Sequence, residues 1–216
     1  MIESILIKQA TEALILTIAY IFSVTVAGGI AAWIAYTMGY EQIEDEGLLN
    51  FNPSSHINFF GLLLFITLGV GFGNFVRVQP AAIEGKGRWP RIIIAMFGGL
   101  FAHMMMAAVG FLLAIGLFKA AVMVTHPSST FMMALLQIAL AMIGLNIMLS
   151  VVELIANGFR FIFYAAGAHD REEYAEYISI ASLVLPLVAF LLWGQQLGTL
   201  VKVTIIAALR MLGVDL

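Results

Sequence analysis

The chain contains no cysteine. Disulfides, thiolate metal sites and cysteine nucleophiles are therefore excluded. Charge is scarce too. Asp, Glu, Lys and Arg make up 11% of the 216 residues, against about 25% in a typical soluble domain. With 10 basic and 13 acidic residues the net charge is −3. No basic stripe exists to neutralise phosphates, so nucleic acid is excluded as a partner. What is abundant is apolar: 62% of residues are hydrophobic, and the mean hydropathy is +1.02. A water-soluble globular enzyme is excluded. The expected fold is all-α, a single integral membrane domain over residues 1–216 built as a multi-pass helix bundle. The start of the chain carries Glu3, Lys8 and Glu12. It is not a basic n-region, so the first apolar run is expected to remain as an anchor.

A bilayer core takes about 20 apolar residues as helix. Such runs fall near 13–38, 57–76, 92–118, 130–152 and 177–194. Two more stretches are ambiguous. Residues 154–166 either continue the fourth span or form a half-helix; residues 197–212, with Lys202 and Arg210, read as interfacial or as a short sixth span. Five or six membrane helices are expected. The runs are continuous rather than alternating, which argues against a β-barrel.

Sidedness follows from the loops. Residues 77–91 hold Arg77, Lys86, Arg88 and Arg91 against Glu84, which places that loop in the cytoplasm by the positive-inside rule. Glu41, Glu44, Asp45 and Glu46 come without a basic neighbour and suggest the opposite face. Lys8 suggests a cytoplasmic N-terminus, and Trp89 an interface anchor. A bacterial or archaeal cytoplasmic (inner) membrane is the expected location.

Two segments carry the strongest pattern. The first runs Gly47-Leu48-Leu49-Asn50-Phe51-Asn52-Pro53-Ser54-Ser55-His56-Ile57-Asn58-Phe59-Phe60-Gly61; the second runs Gly71-Phe72-Gly73-Asn74-Phe75-Val76-Arg77-Val78-Gln79-Pro80. With Gly99-Leu100-Phe101-Ala102-His103 after them, they resemble in order and spacing three elements of the site-2 protease family. These intramembrane zinc metalloproteases carry G-R-L-T-L-N-P-x-x-H-I-D-P-x-G, G-W-x-K-P-V-P-V-N-P and G-P-x-x-N.

The resemblance implies a membrane core and a zinc held by an H-E-x-x-H pair one helical turn apart. A later acidic residue is the third ligand, and the Glu serves as general base. Counted without gaps, the H-E-x-x-H window falls on Ala27-Gly28-Gly29-Ile30-Ala31, and the acidic ligand on Asn157 before Gly158. Ala27, Gly28, Ala31 and Asn157 are then degenerate catalytic positions. His56, His103, His126 and His169 include no pair at i, i+3 or i, i+4 spacing. No cofactor is expected, zinc included.

Polar side chains inside a bilayer are costly and face the protein interior. His56, His103, Asn146, Glu153, Asn157 and Arg160 form the candidate intramembrane polar cluster, with Glu153, Asn157 and Arg160 at i, i+4, i+7 on one helix face. His103 is expected to be a hydrogen-bonded packing residue, and His56 to support loop geometry. Ala27, Gly28, Ala31 and Ala32 make a small-residue packing face, and Gly69, Gly71 and Gly73 offer another.

The expected function is a pseudoprotease: a non-catalytic, structural or regulatory subunit whose partners are other integral membrane proteins and lipids. Two rivals stand beside it. One is a divergent active metalloprotease using His56, His103 and Glu153; the other is a transporter or proton-pathway subunit using Glu153, Arg160 and His103.

Overall fold

The computed structural model describes residues 2–69, 71–123, 130–167 and 172–211. His126 and His169 lie outside them. Its elements are α1 (Ile2–Thr37), α2 (Pro53–His56), α3 (Phe59–Leu68), α4 (Arg88–Met96), α5 (Gly98–Met123), α6 (Thr130–Ala165) and α7 (Glu172–Met211), with short 3-10 turns at Glu41–Ile43 and Pro80–Ala82. Among the described residues there is no strand beyond an isolated antiparallel bridge between Ile57 and Gly73. The fold is the expected all-α one. Three helical segments, Leu6–Thr37, Gly98–Ala120 and Phe131–Ala165, are long and apolar enough to cross a bilayer.

The core lies where α1, α5 and α6 meet. Alanines are the reason they meet closely. Ala19, Ala27, Ala31, Ala32 and Ala35 of α1 are buried with Ala102 and Met106 of α5 and Met142 of α6. Between helices in lipid, attraction rests on close fit rather than on expelling water. Around this core the outward residues are large and apolar, such as Leu14 and Phe22 on α1 and Leu112 on α5. α7 packs against α6.

Several expected spans are drawn differently. Residues 154–166 are the continuation of α6, a single helix of 36 residues. Residues 177–194 and 197–211 belong to one 40-residue helix, α7, with Pro186 inside it. The larger correction concerns 57–76, which is not a spanning helix. α3 has 10 residues, about 15 Å of helix against a hydrocarbon core about 30 Å thick. Asn58 caps its start by accepting from Gly61 N, and Gly69 ends it in the left-handed region at φ 71°. From there the chain turns back extended. Tyr20 donates to the Phe72 carbonyl at 2.8 Å, Gly73 bridges Ile57, and Asn74 N donates to the His56 carbonyl at 2.7 Å. Residues 57–69 and 71–79 are the two arms of a re-entrant hairpin that enters and leaves at one end of the bundle.

That hairpin brings the two charged loops together. The acidic loop at 41–46 follows the C-terminal end of α1. The basic loop at 77–91 lies beside that same end, where the Tyr40 hydroxyl reaches the Arg77 carbonyl at 3.4 Å and the Arg91 guanidinium lies against Gly39. The acidic and basic loops therefore share a side. The start of α1 lies 36 residues away, at the other end of that helix. Single cysteines at Glu44 and Gly87 are accordingly expected to behave alike with a membrane-impermeant thiol reagent, both labelling in intact cells or both only after lysis. Labelling from opposite sides would sink the re-entrant hairpin.

Candidate functional site

The window Ala27-Gly28-Gly29-Ile30-Ala31 faces the middle of the bundle. Ala27 and Ala32 are fully buried and Ala31 nearly so. Their packing partners are elements of this same chain. A Cβ placed on Gly28 would lie 2.5 Å from His56 Nδ1 and 3.0 Å from its Cγ, so the His56 ring occupies the space of a residue-28 side chain. A Cβ on Gly29 would meet the Phe51 ring and the Asn50 carbonyl. The segment 50–56 is thus laid directly on α1, and it reaches there because its own amides hold it. Asn50 Nδ2 donates to the Gly47 carbonyl at 2.7 Å, and Asn52 Oδ1 accepts from Ser54 N at 3.1 Å to start α2 with Pro53 in its first turn. Asn74 Nδ2 donates to the Ser55 carbonyl at 2.9 Å.

His56 has no exposed surface, and its Nε2 lies 2.7 Å from the Asn50 carbonyl oxygen. A carbonyl only accepts, so Nε2 carries the proton. Nδ1 is then a buried acceptor, and it has no partner.

A second group ties the three spanning helices together. Asn146 of α6 donates from Nδ2 to Ser23 Oγ on α1 and to the Met142 carbonyl, both at 2.8 Å. Its Oδ1 lies 2.8 Å from His103 Nδ1 on α5. With the amide nitrogen fully used, Oδ1 is the acceptor and His103 Nδ1 the donor. All three side chains are buried.

The third group runs along α6. Asn157 Nδ2 donates to Glu153 Oε2 at 2.5 Å, Arg160 Nη1 donates to Asn157 Oδ1 at 3.4 Å, and Arg160 Nη2 donates to the Val78 carbonyl at 3.1 Å. The i, i+4, i+7 face is therefore one connected seam, but Glu153 and Arg160 do not pair directly; the Asn157 amide stands between them. Glu153 rests on α5 at Gly99, where a Cβ would fall 2.6 Å from its carboxyl carbon.

Between α1, α5, α6 and the returning strand of the hairpin a cavity of about 10 Å³ remains, lined among others by Ala27, Gly28, Ala31, His103 and Glu153. That is about the room of one water. Asn157, the position matched to the acidic ligand, is not in its wall; Glu153, one turn earlier, is. Sequence reasoning passed over Ser23, and it took Asn74 and Gly99 only as members of the resembling segments, with no role of their own. Ser23 was readable, being polar within an apolar run and four residues before Ala27, hence on the same helix face. Gly99 and Asn74 carry no such signal, because their role depends on which segment folds against them.

The donors do not suit zinc as the resembled family holds it. Ala27 and Ala31 have no donor atom, and Gly28 has no carboxylate to serve as base. Among the described residues no three His, Asp or Glu side chains come together as a ligand group.

No family model matches the chain, and no solved structure matches it. It is 25% identical over 188 residues to "Putative zinc metalloprotease YwhC" of Bacillus subtilis (strain 168), an alignment covering 82% of this chain and 84% of that protein. This likeness runs over most of both chains and supports the resemblance to a metalloprotease family. It does not say which catalytic groups this chain retains.

Proposed function

We propose that the chain is a non-catalytic relative of the site-2 proteases, a structural or regulatory subunit working within a larger membrane protein complex. The supporting observation is the state of the window on α1. Where that family needs two imidazoles and a carboxylate, this chain has Ala27, Ala31 and Gly28, and the freed volume is taken by His56 from one side. Glu153, seated on Gly99, lines the small cavity left beside that window. Closure of this kind is incompatible with admitting a peptide bond and a metal-bound water together. By the excess of Lys and Arg in residues 77–91, the end carrying both loops is the cytoplasmic one, which puts the N-terminus on the far side.

A second reading has one observation in its favour: His103 and Glu153 line a common cavity, and the relative's name speaks of zinc proteolysis. Metal analysis and cleavage assays separate the two. Purified protein is expected to carry no stoichiometric zinc and to leave a membrane-helix substrate uncut. The triple variant Ala27→His, Gly28→Glu, Ala31→His is expected to stay inactive, since a Glu at 28 runs into His56. One zinc per chain, lost in His103→Ala, or cleavage by the unaltered chain would overturn the non-catalytic reading; cleavage by the triple variant would show that the window is still open.

A further inference from the structure

Apart from the buried cavity, a much larger hollow of about 410 Å³ opens at the loop end of the bundle, between the acidic loop and the returning strand of the hairpin. Glu46 and Arg77 bring opposite charges to it, beside Gln79, Asn74, Leu48 and Phe75. The two charges do not neutralise each other: among the described residues the ion pair is Lys8–Glu12, at the other end of α1. Glu46 is fixed by the Tyr40 hydroxyl, which donates to its Oε1 at 2.6 Å. Burial first, and the Glu46 carboxylate second, hold the Tyr40 phenol above its ordinary value, so it remains a donor.

We propose that this hollow binds a phosphate–ammonium headgroup, that of an ethanolamine phospholipid, with the phosphate on Arg77 and Gln79 and the primary ammonium on Glu46. A purely anionic headgroup leaves Glu46 unanswered. A choline headgroup has no N–H to give its carboxylate. The inference does not depend on whether the chain is catalytic.

The test uses the full chain in nanodiscs holding equal parts phosphatidylethanolamine, phosphatidylcholine and phosphatidylglycerol, with retained lipid counted by native mass spectrometry. Phosphatidylethanolamine is expected to be retained in preference. Arg77→Ala and Glu46→Gln are each expected to reduce that retention about tenfold, the worth of one charge-assisted hydrogen bond. Both residues are exposed, and a Gln at 46 still accepts from Tyr40, so melting temperature should hold. Displacement by soluble glycerophosphoethanolamine would mean that the headgroup suffices and free metabolites compete. Failure to displace, with retention still lost in both variants, would assign the site to the intact lipid. Equal retention of the three lipids, unchanged retention in the variants, or a peptide bound there and lost in Arg77→Ala would overturn the proposal.

Discussion

Gly28→Leu is expected to destabilise the bundle by about 1–3 kcal/mol or more, the usual cost of forcing extra carbons into a filled core. The obstruction is specific. The new Cβ alone would lie 2.5 Å from His56 Nδ1, and His56 cannot swing aside without giving up its bond to the Asn50 carbonyl. Buried on all sides, it would have to carry the 50–56 segment with it. The side chains at 28 and 56 are therefore competitors for one volume. In a His56→Ala background the same Gly28→Leu change should cost less, with a coupling between the two sites of about 0.5–3 kcal/mol. His56→Ala alone is also destabilising, since it leaves a void and strands the Asn50 carbonyl. The control is Leu14→Phe on the same helix, at a residue 61% exposed, which should change little. Thermal unfolding in mild detergent reads all four proteins. Strictly additive losses would mean that the His56 ring does not fill the Gly28 space, and the closed-window basis of the proposed function would go with it.

How much of this was legible beforehand depends on the kind of signal. Composition and run length gave the helical membrane class, because bulk apolarity and the length of an apolar run are properties of the chain itself. The same measure failed at 57–76. Hydropathy counts apolar side chains; it does not register that Asn58 starts the helix and Gly69 stops it, or that Asn74 pins the return to Ser55. Those cues were in the sequence as polar and glycine interruptions, and their meaning as a re-entrant turn needed α1 to be in place behind them. Counting a helix as crossing also reverses the loop after it, which is why the acidic and basic loops were expected on opposite faces. At the site, the helix-face periodicity of Glu153, Asn157 and Arg160 was readable and holds. The link through Asn157, by contrast, is a matter of side-chain reach that spacing does not specify.

Asn146→Leu should be the most damaging isosteric change in the spanning region, at about 2–3 kcal/mol. Leucine fills nearly the same volume, so little of this is packing. The loss comes from the partners: His103 is left with a buried N–H, and the Ser23 hydroxyl and the Met142 carbonyl each lose a donor. Stranding a buried polar group costs about 1–3 kcal/mol, tempered in bilayers, where interhelical hydrogen bonds average about 0.6 kcal/mol and reach about 1.7. Ser23→Ala removes the smallest partner and should stay below about 1 kcal/mol, because Asn146 keeps its bonds to His103 and Met142. The decisive variant replaces the whole cluster: Ser23→Ala with His103→Phe and Asn146→Leu leaves no polar side chain of the three unpaired, and should regain much of what Asn146→Leu alone loses. Recovery of that kind identifies the cluster as a self-satisfied strut between α1, α5 and α6. If Asn146→Leu were as stable as the parent, the strut would not exist. If the triple variant were no better than Asn146→Leu, stability would rest on the polar groups themselves, as it would were they poised around a bound species in the neighbouring cavity.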